Sequence, residues 1–230
     1  MEPIRLDNIA SLPAKFLSQL QPLDAVFKAH EHIDSVAADP RIRPLVAEID
    51  CYLRQLPVRA YHCTREPEPG YFAQEGLRLT DVEAHQKEFL SAFGCQFTST
   101  ERQYMQTAWR NYFEGTGQMR GRNGRLWFCL TAETALSDGT EVFFKHFGGE
   151  AVFMPLKEHP TIAAKLGTIG SPVIVEVKLL PGAPSKYTSF ALPLLSAYHL
   201  TRRPDASPWL SETFIQQPIA PKDILSIKRV

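Results

Sequence analysis

The change of residue pattern at Arg59 constrains the fold of this chain more than any other feature. Before it, apolar residues recur at helical spacing between prolines, which predicts an N-terminal cap of two or three short helices. After it, "VRAYHC", "RLWFCLT" and "PVIVEVKLL" are typical of strands separated by helical segments. We therefore predict an α+β fold, with a helical extension over residues 1–57 and the main domain over residues 58–230.

Several further segments have a predictable structure. "TDVEAHQKEFLSAF" predicts a helix with Thr80 or Asp81 as its N-cap, and "TSTERQYMQTAWRNYFEG" a long helix that starts near Ser99 and whose aromatic residues belong to the core. "AETALSDGTEVFFKHFGG" predicts one more helix, ended by the Gly-Gly pair. "EAVFMPL", "SETFIQQ" and "DILSIKRV" predict strands, with a long connection before the second of them.

Whole-chain properties exclude several classes of protein. Lys and Arg balance Asp and Glu, so no overall charge attracts the chain to nucleic acid or to an anionic membrane. No apolar stretch approaches the roughly 18 residues of a membrane span and no signal-peptide pattern is present, so we expect a cytoplasmic protein without a membrane partner. The cysteines form no CxxC pair and no two histidines stand at i, i+4, which predicts buried free thiols and no metal site.

His62 and Thr64 are the first candidate binding residues. Alternate side chains of a strand share a face, so these two lie together while the Cys63 thiol lies on the other side. That geometry excludes a His–Cys nucleophilic dyad. It leaves an imidazole, a hydroxyl and the backbone of Cys63 on one face, a combination suited to a ribose and a carboxamide. Taken alone, however, His-x-Thr is more often a structural feature of a strand.

Two carboxylates and three arginines are further candidates. Glu176 lies within "VIVEVKL", where an ion pair at a surface or sheet edge explains it. Glu212 opens a strand after the long connection, a position at which functional sites are often built. Arg120, Arg122 and Arg125 lie in "GTGQMRGRNGR", a flexible loop by composition, which either folds around phosphates or is simply solvated.

Four motifs, taken in order, resemble the ADP-ribosyltransferase superfamily. They are "YHCTR" on a first strand, "EGLRL" after a short helix, "RLWFCLTAETAL" on a middle strand and "SETFIQQPIAPKDILSI" on a late strand. In that family the first strand carries His-x-Thr or Arg, a helix ends in Gly-Leu, and the late strand carries the catalytic Glu followed by I-x-P-x-x-I. The His start is similar to the diphtheria-toxin and poly-ADP-ribose-polymerase branch. The late strand is similar to bacterial DNA-targeting ADP-ribosyltransferase toxins and to RNA 2′-phosphotransferases.

The resemblance implies an ADP-ribosyltransferase-like split β-sheet core, with catalysis in residues 58–230. Glu212 is then the catalytic carboxylate, which stabilises the positive charge that develops on the ribose when the nicotinamide–ribose bond of NAD breaks. His62 is expected to hydrogen-bond the adenosine ribose. The backbone of Cys63 is expected to pair with the nicotinamide carboxamide, while Thr64 and Arg65 support the ribose or a phosphate.

The middle strand departs from the family pattern. The His branch usually places a Tyr there and the Arg branch a Ser-Thr-Ser run, whereas "WFCLT" ends in Thr131 and contains no tyrosine. Thr131 and Tyr71 are the candidates for this second member of the triad. The aromatic ring expected to stack on nicotinamide is that of Tyr71 or Phe144.

These implications define the expected function. We expect a glycosyl-transferring enzyme, an NAD-dependent ADP-ribosyltransferase that uses NAD as its substrate, needs no metal and acts as a bacterial toxin, effector or defence enzyme. Its acceptor is DNA, RNA or protein, and Arg120, Arg122 and Arg125 are the expected acceptor contacts. The alternatives are an NAD glycohydrolase, an RNA 2′-phosphotransferase-like enzyme and a non-catalytic NAD-binding module.

Overall fold

The computed structural model of the protein describes residues 2–230, and within them it combines helices with one five-stranded sheet, so the predicted α+β class is confirmed. The helices are α1 (Ala14–Leu20), α2 (Asp24–Ala29), α3 (Ile33–Ala38), α4 (Arg43–Leu53), α5 (Tyr71–Glu75), α6 (Val82–Phe93), α7 (Ser99–Phe113), α8 (Gln118–Arg122), α9 (Ala132–Ala135), α10 (Glu141–Lys145), α11 (Gly149–Val152), α12 (Pro160–Thr168) and α13 (Ala191–Arg202). The strands are β1 (Val58–Glu66), β2 (Leu126–Cys129), β3 (Ser171–Leu179), β4 (Glu212–Ile215) and β5 (Ile224–Arg229). Short 3-10 turns lie at Ile9–Ser11, Gln21–Leu23, Gly94–Gln96, Met154–Leu156 and Pro221–Asp223.

The sheet has the strand order β4-β2-β1-β3-β5. β1 and β2 are antiparallel, with Tyr61 opposite Cys129. β3 buries residues 173–177 in succession, the pattern of an interior strand that is covered on both faces. β4 and β5 are the edges. The strands that carry "YHCTR", "RLWFCLT" and "SETFIQQ" are therefore consecutive neighbours in the sheet.

Contacts divide the chain into two compact units. The first unit comprises the residues up to Tyr61, Phe128–Leu136 and Val177–Phe214, and the second comprises His62–Trp127, Ser137–Glu176 and Ile215–Val230. The predicted boundary between residues 57 and 58 stays a prediction. In this division, the helical N-terminal residues belong to the same unit as the start of β4.

The first unit is built on α13 and the N-terminal helices. Apolar side chains of α1 to α4 are buried, Phe16, Phe27 and Ile49 among them. The Tyr198 hydroxyl of α13 donates to Asp24 at the start of α2 over 2.6 Å, and Arg202 Nε donates to the same oxygen over 2.9 Å. Polar contacts at the ends of α2 and α13 thus fix how these helices pack.

The second unit has its core around α6, α7, α11 and α12. Asp81 caps α6 by accepting from Ala84 N over 3.0 Å, and Thr98 forms a capping box with Glu101 at the start of α7. Trp109 is buried and donates through Nε1 to the Val152 carbonyl over 2.9 Å. The two long helices are confirmed. The prediction of core aromatics in α7 holds for Trp109 and Phe113, whereas Tyr104 is 41% exposed.

Four secondary-structure predictions were wrong. "EAVFMPL" is not a strand but lies in α11 and a 3-10 turn, where Val152, Phe153 and Leu156 pack into the core of the second unit. "AETALSDGTEVFFKHFGG" forms two short helices, α9 and α10, separated by a turn around Gly139. The glycine-rich "GTGQMRGRNGR" contains α8, and the long connection contains α13.

Two properties of the whole structure bear on the sequence predictions. None of the cysteines is in a disulfide, but the prediction that they are buried is wrong for Cys51 and Cys95, which are exposed. Of the helices in residues 2–230, none combines the length and the apolar character that crossing a membrane requires.

Candidate functional site

His62 lies in β1, with its ring half-buried. Its Nδ1 atom is 2.9 Å from the carbonyl oxygen of Trp127 in β2. Because a carbonyl oxygen only accepts, Nδ1 must carry the proton, and in the neutral ring Nε2 is then an acceptor. Burial lowers the pKa of His62 and outweighs the opposite effect of the bond to Trp127. The ring is thus held neutral at pH 7, in the tautomer suited to a hydroxyl donor.

Cys63 and Thr64 continue β1 and are both half-buried. The strand is confirmed at this position, so His62 and Thr64 lie on one face and Cys63 on the other, as predicted. The local His–Cys dyad remains excluded on the same ground.

Arg65 is buried, and its guanidinium group donates to backbone carbonyl oxygens of four residues. Nε donates to Ile169 over 2.7 Å, Nη1 to Phe144, and Nη2 to Gly167 over 3.0 Å and Gly170 over 2.8 Å. Within residues 2–230, no carboxylate pairs with it. The structure therefore gives Arg65 a role in holding two chain segments against β1, and its expected support of a ribose or a phosphate stays a prediction.

The segments that carry the two aromatic candidates are hydrogen-bonded to the last residues of β1. Phe144 lies in α10, and its carbonyl is one of those bound by Arg65. Tyr71 begins α5, whose next residue, Phe72, donates through its amide to the carboxylate of Glu66, the last residue of β1, over 3.3 Å. Both rings are half-buried, so the geometry retains both as candidates for stacking on nicotinamide.

The "EGL" and "PIAP" motifs meet in the structure. Leu77 and Ile219 form an antiparallel bridge in which each amide donates to the other's carbonyl, over 2.9 and 2.8 Å. Gly76 has φ +75°, and a Cβ atom there would lie 2.1 Å from the Ile219 oxygen. This glycine is required by the close approach of two segments that are distant in the sequence. Sequence reasoning placed both motifs but did not predict this pairing.

Thr131 is a buried helix cap. Its Oγ1 accepts from Thr134 N over 3.1 Å and lies 2.7 Å from Thr134 Oγ1. Thr134 Oγ1 in turn accepts from Ser211 N over 3.1 Å, and Leu130 N donates to the Ser211 carbonyl over 2.8 Å. These bonds fix the residue that precedes Glu212. The Thr131 hydroxyl is therefore engaged in structure, and the choice between Thr131 and Tyr71 as the second triad member stays a prediction.

Sequence reasoning missed Thr134 and Ser211. A Thr at the end of "RLWFCLT" followed by a helix is an N-cap signal that would have found Thr131 as a cap. No local pattern identifies Ser211, since its partners come from a distant part of the chain.

Glu212 and Glu176 have opposite environments. The Glu212 side chain is exposed at the first position of β4, and the structure of residues 2–230 shows neither a hydrogen bond nor an ion pair for its carboxylate. Glu176 is buried, accepts from Ser226 Oγ over 2.9 Å and pairs with Lys228. The ion-pair interpretation of Glu176 is confirmed, although the carboxylate is buried rather than superficial. Of these two described carboxylates, Glu212 is the one that is accessible to a ligand.

The three arginines of "GTGQMRGRNGR" differ in their availability. Arg122 pairs with Glu150 over 2.6 Å and lies over the Trp127 ring, and Arg125 donates to the Gly121 carbonyl over 3.4 Å. Arg120 is the exposed member of the set. The role of the three arginines as acceptor contacts stays a prediction.

A cavity of about 370 Å³ lies along α7 and coincides with none of the predicted site residues. It is lined by Tyr104, Thr107, Ala108, Asn111, Tyr112 and Pro155.

Comparison of the chain with protein-family models, with curated proteins and with solved structures gives no match. The described part of the chain also contains no group of three or more His, Cys, Asp and Glu side chains arranged to hold a metal ion.

Proposed function

We propose that the protein is an NAD-dependent ADP-ribosyltransferase with an ADP-ribosyltransferase-like core, acting on a nucleic acid or protein acceptor as a toxin, effector or defence enzyme. The observation that carries this proposal is the strand order. The late strand with Glu212, the middle strand "LWFC" and the first strand with His62 are consecutive as β4-β2-β1. The sequence order of the motifs does not by itself require this adjacency.

The chemistry of the individual side chains supports the proposal. When the nicotinamide–ribose bond breaks, its electron pair leaves with nicotinamide, and positive charge develops on the ribose carbon and ring oxygen. The uncommitted carboxylate of Glu212 stabilises that charge electrostatically. The neutral His62 ring hydrogen-bonds the adenosine ribose. A nucleophilic group of the acceptor then bonds to the ribose carbon and loses its proton.

The test uses labelled NAD and separate pools of DNA, RNA and protein. We expect the wild-type protein to label one pool, and Glu212→Gln to reduce labelling by about 10²- to 10³-fold, the typical cost of removing one electrostatic group. Glu176→Gln and Glu83→Gln are the controls for a buried, paired carboxylate and for another exposed one. Undiminished labelling by Glu212→Gln would refute the assignment, and the identity of the labelled pool establishes the acceptor.

One observation favours a second candidate, a module that binds NAD without turnover. The middle strand lacks a tyrosine, and the hydroxyl of Thr131 is engaged in capping. For such a module, NAD at one hundred times its Kd stabilises the folded protein by about 2.7 kcal/mol and so raises the melting temperature, while no nicotinamide is released. If chromatography over several hours detects released nicotinamide, the non-catalytic module is excluded. If nicotinamide is released but no pool is labelled, the enzyme is an NAD glycohydrolase.

A further inference from the structure

The segment of residues 185–191 is held by two side chains at the C-terminal end of α4, those of Asp50 and of Arg54, the residue that follows the helix. One carboxylate oxygen of Asp50 accepts from Phe190 N over 2.6 Å, from Ala191 N over 3.2 Å and from Ser189 Oγ over 3.1 Å, at the start of α13. Its other oxygen accepts from Arg54 Nε over 2.8 Å. The Arg54 guanidinium then donates to the carbonyls of Lys186 and Thr188.

The same segment is bonded to β4. Ser185 N donates to the Phe214 carbonyl over 3.0 Å, and Thr188 Oγ1 donates to Thr213 Oγ1 over 2.9 Å. Thr213 is 1% exposed and directly follows Glu212. The hydrogen bonds therefore form a continuous series from α4, through residues 185–191, to the strand that begins with Glu212.

A second set of hydrogen bonds links the N-terminal residues to Ser211, which precedes Glu212. Asp7, in the N-terminal residues, accepts from Ala132 N at the start of α9 over 3.3 Å. In α9, Thr134 accepts from the amide of Ser211, the residue before Glu212. Both neighbours of Glu212 in the chain are thus linked to residues of the N-terminal extension.

We propose that the N-terminal extension is a brace that positions Glu212 through residues 185–191. Asp50 and Arg54 of the extension and Thr188 of that segment are the positioning residues. β4 is a four-residue edge strand, so one of its sides lacks a neighbouring strand to fix it. A catalytic group must be held within about 0.5 Å of its productive position. The brace supplies that constraint. This inference rests on the proposed transferase function.

The test compares Thr188→Val, which keeps the shape but removes the hydroxyl, with Thr188→Ser, which keeps the hydroxyl. Two readouts are needed: the kinetics of nicotinamide release from NAD, and amide hydrogen exchange in β4. We expect Thr188→Val to lower kcat about fivefold, the equivalent of one lost hydrogen bond, with KM for NAD unchanged. Exchange at Thr213 and Phe214 should accelerate, and Thr188→Ser should resemble the wild type. Thr213→Val tests the same bond from its other partner.

The outcomes separate this inference from the function on which it rests. A Thr188→Val protein with wild-type kcat, in an assay in which Glu212→Gln shows its expected loss of activity, overturns the brace and leaves the transferase assignment intact. An active Glu212→Gln protein overturns the assignment and the inference together. A rise in KM for NAD with kcat unchanged shows an effect on binding and also overturns the positioning role.

Discussion

Replacing Arg65 by Met should lower the stability of the protein more than any exposed substitution. Met keeps most of the apolar stem and removes all donors to the carbonyls of Phe144, Gly167, Ile169 and Gly170. These carbonyls belong to two separate chain segments, and Arg65 is 9% exposed. Water therefore has little access to replace the lost donors.

The magnitude follows from the number of acceptors. Leaving a buried carbonyl without its donor costs about 1 kcal/mol, so the four carbonyls together amount to about 4 kcal/mol. Part of this is offset because the variant no longer buries an uncompensated charge. A net loss of about 3 kcal/mol in the free energy of unfolding corresponds to a fall in melting temperature of about 6 to 12 °C for a chain of this size.

Urea unfolding followed by circular dichroism measures this loss directly. Arg65→Lys should fall between the wild type and Arg65→Met, because one ammonium group cannot span both segments. Arg120→Met, at an exposed position, is the matched control and should change stability by about 0.5 kcal/mol or less. A loss below about 1 kcal/mol in Arg65→Met would refute the structural role. An unchanged stability together with lost NAD binding would instead support the predicted contact of Arg65 with a ribose or a phosphate.

Two further predictions concern β1. Because burial lowers the pKa of His62, the unfolded chain takes up a proton before the folded one as the pH falls below about 6.5, so stability decreases there. His62→Asn should reduce this decrease in urea unfolding series between pH 7 and pH 5, and an unchanged pH dependence would contradict the neutral tautomer. Cys63→Ala should leave NAD use nearly unchanged while His62→Ala weakens it, as nicotinamide release will show; the reverse result would indicate thiol chemistry.

Local signals predicted much of the fold. The capping residues Asp81 and Thr98 act within one turn of their helices, so the starts of α6 and α7 can be read from a few consecutive residues. The five buried residues of β3 are likewise a local pattern. For "EAVFMPL", the same reasoning failed because a short apolar run fits a strand as well as a helix, and packing against the core of the second unit decides between them.

The sequence could nominate candidate site residues only from the residue type and its local motif, because the partners of a side chain are often distant in the sequence. His62 and Glu212 were located by motif, and the exposed, unpaired state of Glu212 leaves it available. Arg65 and Thr131 have side chains of the expected types, but both also make hydrogen bonds within the protein that the sequence did not predict. Three of the four Arg65 partners, Gly167, Ile169 and Gly170, lie more than one hundred residues away in the sequence, so no local pattern reveals them.

The second half of β1 combines site and scaffold in consecutive residues, and this governs how mutations there must be interpreted. His62 is fixed by the Trp127 carbonyl, Arg65 holds residues 144 and 167–170, and Glu66 binds the start of α5. Loss of NAD turnover in an Arg65 variant therefore does not identify a ligand contact, since Phe144 is displaced by the same change. A His62→Asn variant with wild-type stability separates binding from scaffold, because an asparagine amide can donate to the Trp127 carbonyl in place of imidazole Nδ1.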